Sequence, residues 1–175
     1  MKREAIGNIL NFMVEKEGQK IPKRWADLLV REEEQKELIR ALETHPDGSQ
    51  FVHEGSLYFH DNVNITKLPN DLVVNGNIYL YDNPNTIELP KKLLVRGFLD
   101  LRDCNQITKL PDNLYVNDWL DLDNCEQITE FPKRLYVGGN LYIRNTSLAK
   151  KYTKKEIRDI VASTGGEIKE QIIMY

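Results

Sequence analysis

Residues 98–132 read FLDLRDCNQITKLPDNLYVNDWLDLDNCEQITEFP. The stretch makes nearly the same statement twice, FLDLRDCNQITKLP and then WLDLDNCEQITEFP, joined by DNLYVND. The step from Cys104 to Cys125 is 21 residues, and many other columns keep it. Pro69, Pro90, Pro111 and Pro132 share it, as do Leu72, Leu93, Leu114 and Leu135, then Val74, Val95, Val116 and Val137. Leu57, Ile78, Leu99, Leu120 and Leu141 form another column, with Phe59, Leu80, Leu101, Leu122 and Ile143 two places later. Gly55, Gly76, Gly97 and Gly139 share one more, interrupted only by Asp118. A fixed period of this size marks a stack of like units.

The unit L-x-V-x-G-x-L-x-L-x-x-[NC]-x-x-I-T-x-L-P covers residues 54–147. Its first part alternates apolar and variable residues with period two, which is a strand showing one face to a core. Glycine at an inward position lets the backbone bend or approach its neighbour closely. Proline, lacking an N–H, ends the turn that returns the chain. One coil cannot bury its own inner face, whereas stacked coils can. The expected architecture is an α+β β-solenoid of about five coils.

A solenoid needs caps, because its end coils would otherwise expose core and strand edges. Residues 1–48 are expected to be a helical N-terminal cap. Ile6, Ile9, Leu10 and Met13 give one apolar face, then Trp25, Leu28 and Leu29, then Leu38, Ala41 and Leu42. The solenoid is placed at 49–147 and a helix-strand cap at 148–175, the whole forming one cooperative domain. In the last segment Thr153 and Glu156 have capping-box spacing. Ile157, Ile160 and Val161 continue inward, Gly165-Gly166 stops the helix, and EIKEQIIMY reads as a final strand.

LDLDNCEQIT and LDLRDCNQIT resemble the cysteine-containing subclass of leucine-rich repeats, with its L-x-L-x-x-C-x-x-I-T. The L-P step is similar to the short repeats of bacterial effectors. Units such as LPDNLYVNDWLDL are similar to those of phage and prophage proteins that end in a short helix and strand. The resemblance covers just over half the chain. It implies a leucine-rich-repeat-like scaffold, encoded by a phage or prophage, that blocks a host protein such as a defence component. Effectors with such repeats carry a ligase domain after them, for which too little chain remains here.

Cys104 and Cys125 share a column with Asn62, Asn83 and Thr146. The resemblance places this position inward, with its side chain satisfying backbone groups where the strand turns away. Neighbouring coils lie about 4.8 Å apart, so a disulfide is geometrically conceivable, but a reducing compartment opposes it. No histidine joins the column to complete a metal site. Both cysteines are expected to be reduced.

With a net charge of −3, the chain lacks the basic face that phosphate neutralisation requires, which argues against nucleic acid. The N-terminal helices show no basic recognition face for a helix-turn-helix reader. No apolar run approaches a membrane span. No signal-peptide cleavage pattern is present, and with two cysteines the expected compartment is a reducing cytoplasm; the resemblance to phage and prophage proteins implies that of a bacterium. There is no glycine-rich phosphate loop, H-E-x-x-H or C-x-x-C. No enzymatic activity, cofactor, metal ligand or catalytic residue is assigned.

What remains is the outward strand face. Its columns contain Tyr58, Tyr79, Asp100, Asp121 and Tyr142; then His60, Tyr81, Arg102, Asp123 and Arg144; and beside them Phe98 and Trp119. Aromatic residues and arginine dominate binding hot spots. These twelve residues are the candidate site for a protein partner, with a self-associating structural subunit, a homo-oligomer, as the alternative. The aspartates are expected to be exposed, so that loss of Asp121 costs little stability. A second column, Val73, Leu94, Tyr115 and Tyr136, is expected to extend this patch or pack under a cap. The lysines of KKYTKK (150–155) are expected to be solvated cap surface.

Overall fold

Period-two alternation becomes two sheets rather than one. The structure, a computed structural model, describes residues 35–59, 65, 67–81 and 88–175. In it each coil contributes two short strands. The first sheet runs β1 (Phe51–His53), β3 (Asp71–Val74), β5 (Lys92–Val95), β7 (Tyr115–Val116), β9 (Tyr136–Val137) and β11 (Glu167–Ile168). The second runs β2 (Leu57–Tyr58), β4 (Ile78–Tyr79), β6 (Leu99–Asp100), β8 (Leu120–Asp121), β10 (Leu141–Tyr142) and β12 (Ile172–Ile173). All neighbours are parallel, and the register keeps the sequence period: Leu72 faces Leu93, and Leu99 faces Leu120. This is a parallel β-solenoid.

The stretch L-x-V-x-G-x-L-x-L, expected as one strand, breaks at residues 75–77 and 96–98 and their equivalents. Glycine explains the break. A Cβ on Gly76 would lie 2.6 Å from the Gly55 carbonyl oxygen, and one on Gly97 would lie 1.9 Å from Asn77 Oδ1. The bends stack too closely for side chains. Where Asp118 interrupts the column, glycine stands in the coils on both sides.

The core is the set of inward columns. Leu57, Leu72, Val74, Ile78, Val95, Leu99, Leu101, Leu120, Leu122, Leu141 and Ile143 are all fully buried. The cysteines serve this interior. Cys104 Sγ donates to the Leu80 carbonyl at 3.1 Å, and Cys125 Sγ donates to Leu101 at 2.9 Å. Thr146 Oγ1 donates to Ile143 at 2.7 Å. Both thiols are free, and burial pushes that of Cys125 up to about 12. The expected ladder is present, although Asn62 and Asn83 lie outside the described residues.

A second ladder runs through the turns. Asp103, Asn124 and Asn145 adopt left-handed backbone, with φ of 61°, 63° and 58°. Asp and Asn tolerate this region best among residues with a Cβ. Asn124 Nδ2 donates to Asp103 Oδ1 at 2.7 Å, and Asn145 Nδ2 to Asn124 Oδ1 at 2.9 Å. Each amide therefore ties its turn to the preceding one.

The chain forms two compact units, residues 1–41 and 42–175. Most of the expected N-terminal cap, including Ile6, Ile9, Leu10, Met13, Trp25, Leu28 and Leu29, lies outside the described residues; residues 35–43 are helical. At the other end, helix Lys154–Ser163 carries the capping box of Thr153 and Glu156. It stops at Gly165, with φ +79°, where Gly166 N–H reaches the Val161 carbonyl and Gly165 N–H that of Ala162. This is a Schellman stop. EIKEQIIMY is two strands rather than one. β11 and β12 pair with β9 and β10, making a shortened sixth coil. Arg158 on the helix donates to the Ile168 and Glu170 carbonyls, satisfying acceptors of that last coil. Among the described residues no helix is long and apolar enough to cross a membrane.

Candidate binding face

The second sheet turns one side chain of each coil outward, and bulk alternates between adjacent columns. Tyr58, Tyr79 and Tyr142 stand on the strands, whereas Phe98 and Trp119 stand one column earlier, at the bends. Their rings nevertheless meet. Tyr58 stacks on Tyr79 at 4.7 Å, Tyr79 meets Phe98 edge-on at 4.9 Å, and Phe98 lies on Trp119 at 3.9 Å and 9°. Trp119 then meets Tyr142 edge-on at 6.2 Å. Five coils are joined by one aromatic ladder. Offset stacks and edge contacts are the arrangements that ring quadrupoles favour.

Where a strand carries tyrosine, the preceding column carries Ser56, Asn77 or Asn140. These small side chains accept backbone N–H groups from the next coil: Asn77 onto Ser56 Oγ, Phe98 onto Asn77 Oδ1, and Gln171 onto Asn140 Oδ1, each at 3.0 Å. The column that holds the ladder's spacing is thus a backbone clamp.

The aspartates are the main correction. Asp100, Asp121 and Asp123 were expected to be exposed, but they are only 1%, 7% and 8% accessible. Asp100 and Asp121 accept the backbone N–H two residues on, from Arg102 at 3.2 Å and Asp123 at 2.9 Å. That is an Asx-type turn at the strand exit. Asp123 accepts the Arg144 N–H of the next coil at 2.6 Å. The carboxylates hold the backbone together, a role that D-x-R and D-x-D at the strand end could have signalled.

The arginines lie over them. Arg102 grips Asp100 with Nε and Nη2 at 2.9 and 2.6 Å and keeps a looser 3.8 Å contact with Asp121. The hydrogen bond to Asp100 holds the guanidinium proton more firmly than usual. Arg144 Nε lies 2.8 Å from Asp123 Oδ2, but its N–H is not aimed along a hydrogen bond. Both guanidiniums also ride over rings, Arg102 at 5.1 Å from Tyr81 and Arg144 at 5.6 Å from Tyr142. With Arg102 committed to Asp100, Asp121 is left weakly compensated. Burial raises its carboxyl to about 6, the neighbouring Asp123 and Asp100 charges push the same way, and the Asp123 N–H and Arg102 oppose them.

The structure thus brings together eleven of the twelve expected site residues, and His60 lies outside the described residues. Tyr58 is the most open, at 51%. Phe98, Trp119, Tyr79, Tyr81 and Tyr142 are half-buried, and the Arg102 and Arg144 side chains are 46% and 43% accessible. The second apolar column, Val73, Leu94, Tyr115 and Tyr136, belongs to the first sheet and does not extend this face. Among the described residues no cluster of three or more His, Cys, Asp or Glu is arranged to hold a metal ion. Comparison with protein-family models, with curated proteins and with solved structures finds no match to this chain.

Proposed function

We propose that the chain is a non-catalytic, leucine-rich-repeat-like protein-binding module whose partner docks on the outward face of the second sheet. The aromatic ladder carries this reading. Ring edges from five coils and two half-open guanidiniums form one continuous surface of hot-spot chemistry. Rings already stacked on each other have little freedom left to lose on docking, which lowers the cost of association. The resemblance to phage and prophage repeats adds the finer proposal: an inhibitor of a host bacterial protein, such as a defence component, acting in the cytoplasm.

Self-association through the same face is the second reading. Tyr58, half exposed on the ladder, is the feature that favours it. Light scattering separates the two readings: a monomer supports a foreign partner, and a defined oligomer supports assembly. For the main reading, the partner is recovered by pulldown from bacterial lysate and titrated against folded variants. Trp119→Ala should weaken binding by about 2 kcal/mol or more, and changes at Lys154 and Lys155 should matter less. Binding that survives Trp119→Ala but is lost with the cap lysines would move the site to the C-terminal end.

A further inference from the structure

The first sheet has an outward face of its own. Val52, Val73, Leu94, Tyr115 and Tyr136 follow one another up five coils as a continuous apolar column. Val52 is 47% accessible and the others are half-buried. Tyr115 and Tyr136 stack at 4.5 Å with planes 4° apart. Beside the column, Leu94, Arg96, Tyr115 and Asn117 line an open pocket of about 480 Å³.

Charge distinguishes this face from the other. Lys92 is paired with Asp71 at 2.9 Å, and Lys169 with Glu167 at 2.7 Å. Arg96 and Arg134 differ: among the described residues neither guanidinium meets a carboxylate within ion-pair distance, and Arg134 Nε donates only to the neutral Asn113. Arg96 follows Leu94 by two positions and Arg134 precedes Tyr136 by two. The two charges therefore flank the stripe on opposite edges, two coils or about 10 Å apart along the stack. On the aromatic-ladder face, by contrast, each arginine already has an aspartate.

We propose that this face is a second docking surface, for an acidic amphipathic peptide segment of another protein. Its apolar side chains would lie on Leu94, Tyr115 and Tyr136, and its carboxylates would meet Arg96 and Arg134. Two guanidiniums without a carboxylate partner beside a half-buried apolar stripe are complementary to that chemistry. Single-stranded nucleic acid fits less well. Base stacking needs free ring faces, and one face of Tyr115 and one of Tyr136 are already taken up by their mutual stack. A second copy presenting the same face would bring like charges together.

The test is fluorescence anisotropy with the full chain and a short dye-labelled peptide of Leu, Phe, Asp and Glu. Controls are the same peptide with Lys replacing the acids and a labelled single-stranded oligonucleotide. The acidic peptide should bind saturably and weaken as salt is raised. Arg96→Glu and Arg134→Glu should each reduce affinity about tenfold or more, and Arg96→Gln and Arg134→Gln by less, with urea midpoints showing that every variant is folded. Trp119→Ala should leave this binding unchanged, so the result stands apart from the fate of the aromatic-ladder face. The proposal is overturned if the acidic peptide does not bind, if the lysine peptide or oligonucleotide binds as well, or if only Trp119→Ala abolishes the signal.

Discussion

Replacing Asp121 with asparagine should make the protein more stable at neutral pH, although it removes a charge from the candidate binding face. Asp121 Oδ1 accepts the Asp123 N–H at 2.9 Å, and an asparagine carbonyl can accept the same bond. What the amide removes is a negative charge buried beside two others. The carboxyl is raised from its ordinary 3.8 to about 6. A difference of roughly two pH units corresponds to about 3 kcal/mol. The site lies at the surface under a half-open arginine, so solvent screening reduces this to about 1–2 kcal/mol. The sign follows from proton binding: the folded state holds the proton more tightly than the unfolded state does. The wild type therefore keeps its full stability below about pH 4 and loses it as pH rises through about 6. Urea unfolding of both proteins, followed by tryptophan fluorescence from about pH 4 to about pH 7.5, measures the difference. The two should be nearly equal at the acid end, with Asp121→Asn ahead by about 1–2 kcal/mol at the neutral end. A difference that does not vary with pH, or an asparagine variant less stable at neutral pH, would refute the reasoning.

Leu122→Ala should cost about 2–5 kcal/mol through the cavity it leaves, because Leu122 is fully buried; denaturant midpoints check this. Gly97→Ala should destabilise by about 1–3 kcal/mol in the same assay. The new methyl would displace Asn77 Oδ1 from the Phe98 N–H and would also crowd the Gly76 carbonyl. Thiol titration without reductant should find two reactive groups only after unfolding. Cys125→Ala should lose about 1–2 kcal/mol, since the Leu101 carbonyl keeps its bond from the Cys104 N–H at 3.1 Å.

The solenoid could be read from the sequence because stacking imposes one period on every inward position, so Leu99, Leu120 and Leu141 announce one another. The division into two sheets could not, because alternation continues through the bend; only the close approach at Gly76 and Gly97 fixes the break. The sixth coil was hidden by the inserted helix. Val137 and Leu141 recur as Ile168 and Ile172 with the same internal spacing, but 31 residues on rather than 21. At the candidate site the aromatics could be placed from their columns, but the burial of Asp100 and Asp121 could not. Whether an outward carboxylate meets water depends on Arg102 folding back over it, and that depends on rotamers and neighbouring coils. Arg96 and Arg134 gave no signal, for what distinguishes them is the lack of a carboxylate nearby in space.

The constant offset between paired strands also governs how the chain finds this structure. Each coil that docks closes a loop of the same 21 residues, so the entropy of closure does not grow as the stack lengthens. The loop-closure cost varies only as the logarithm of loop size. The final joint, where the offset is 31, therefore costs only about 0.3 kcal/mol more than the others. Folding can begin at any well-packed pair of coils and spread in both directions by equal steps. The helix carrying Arg158 is thus inserted into the last step with almost no penalty to the search.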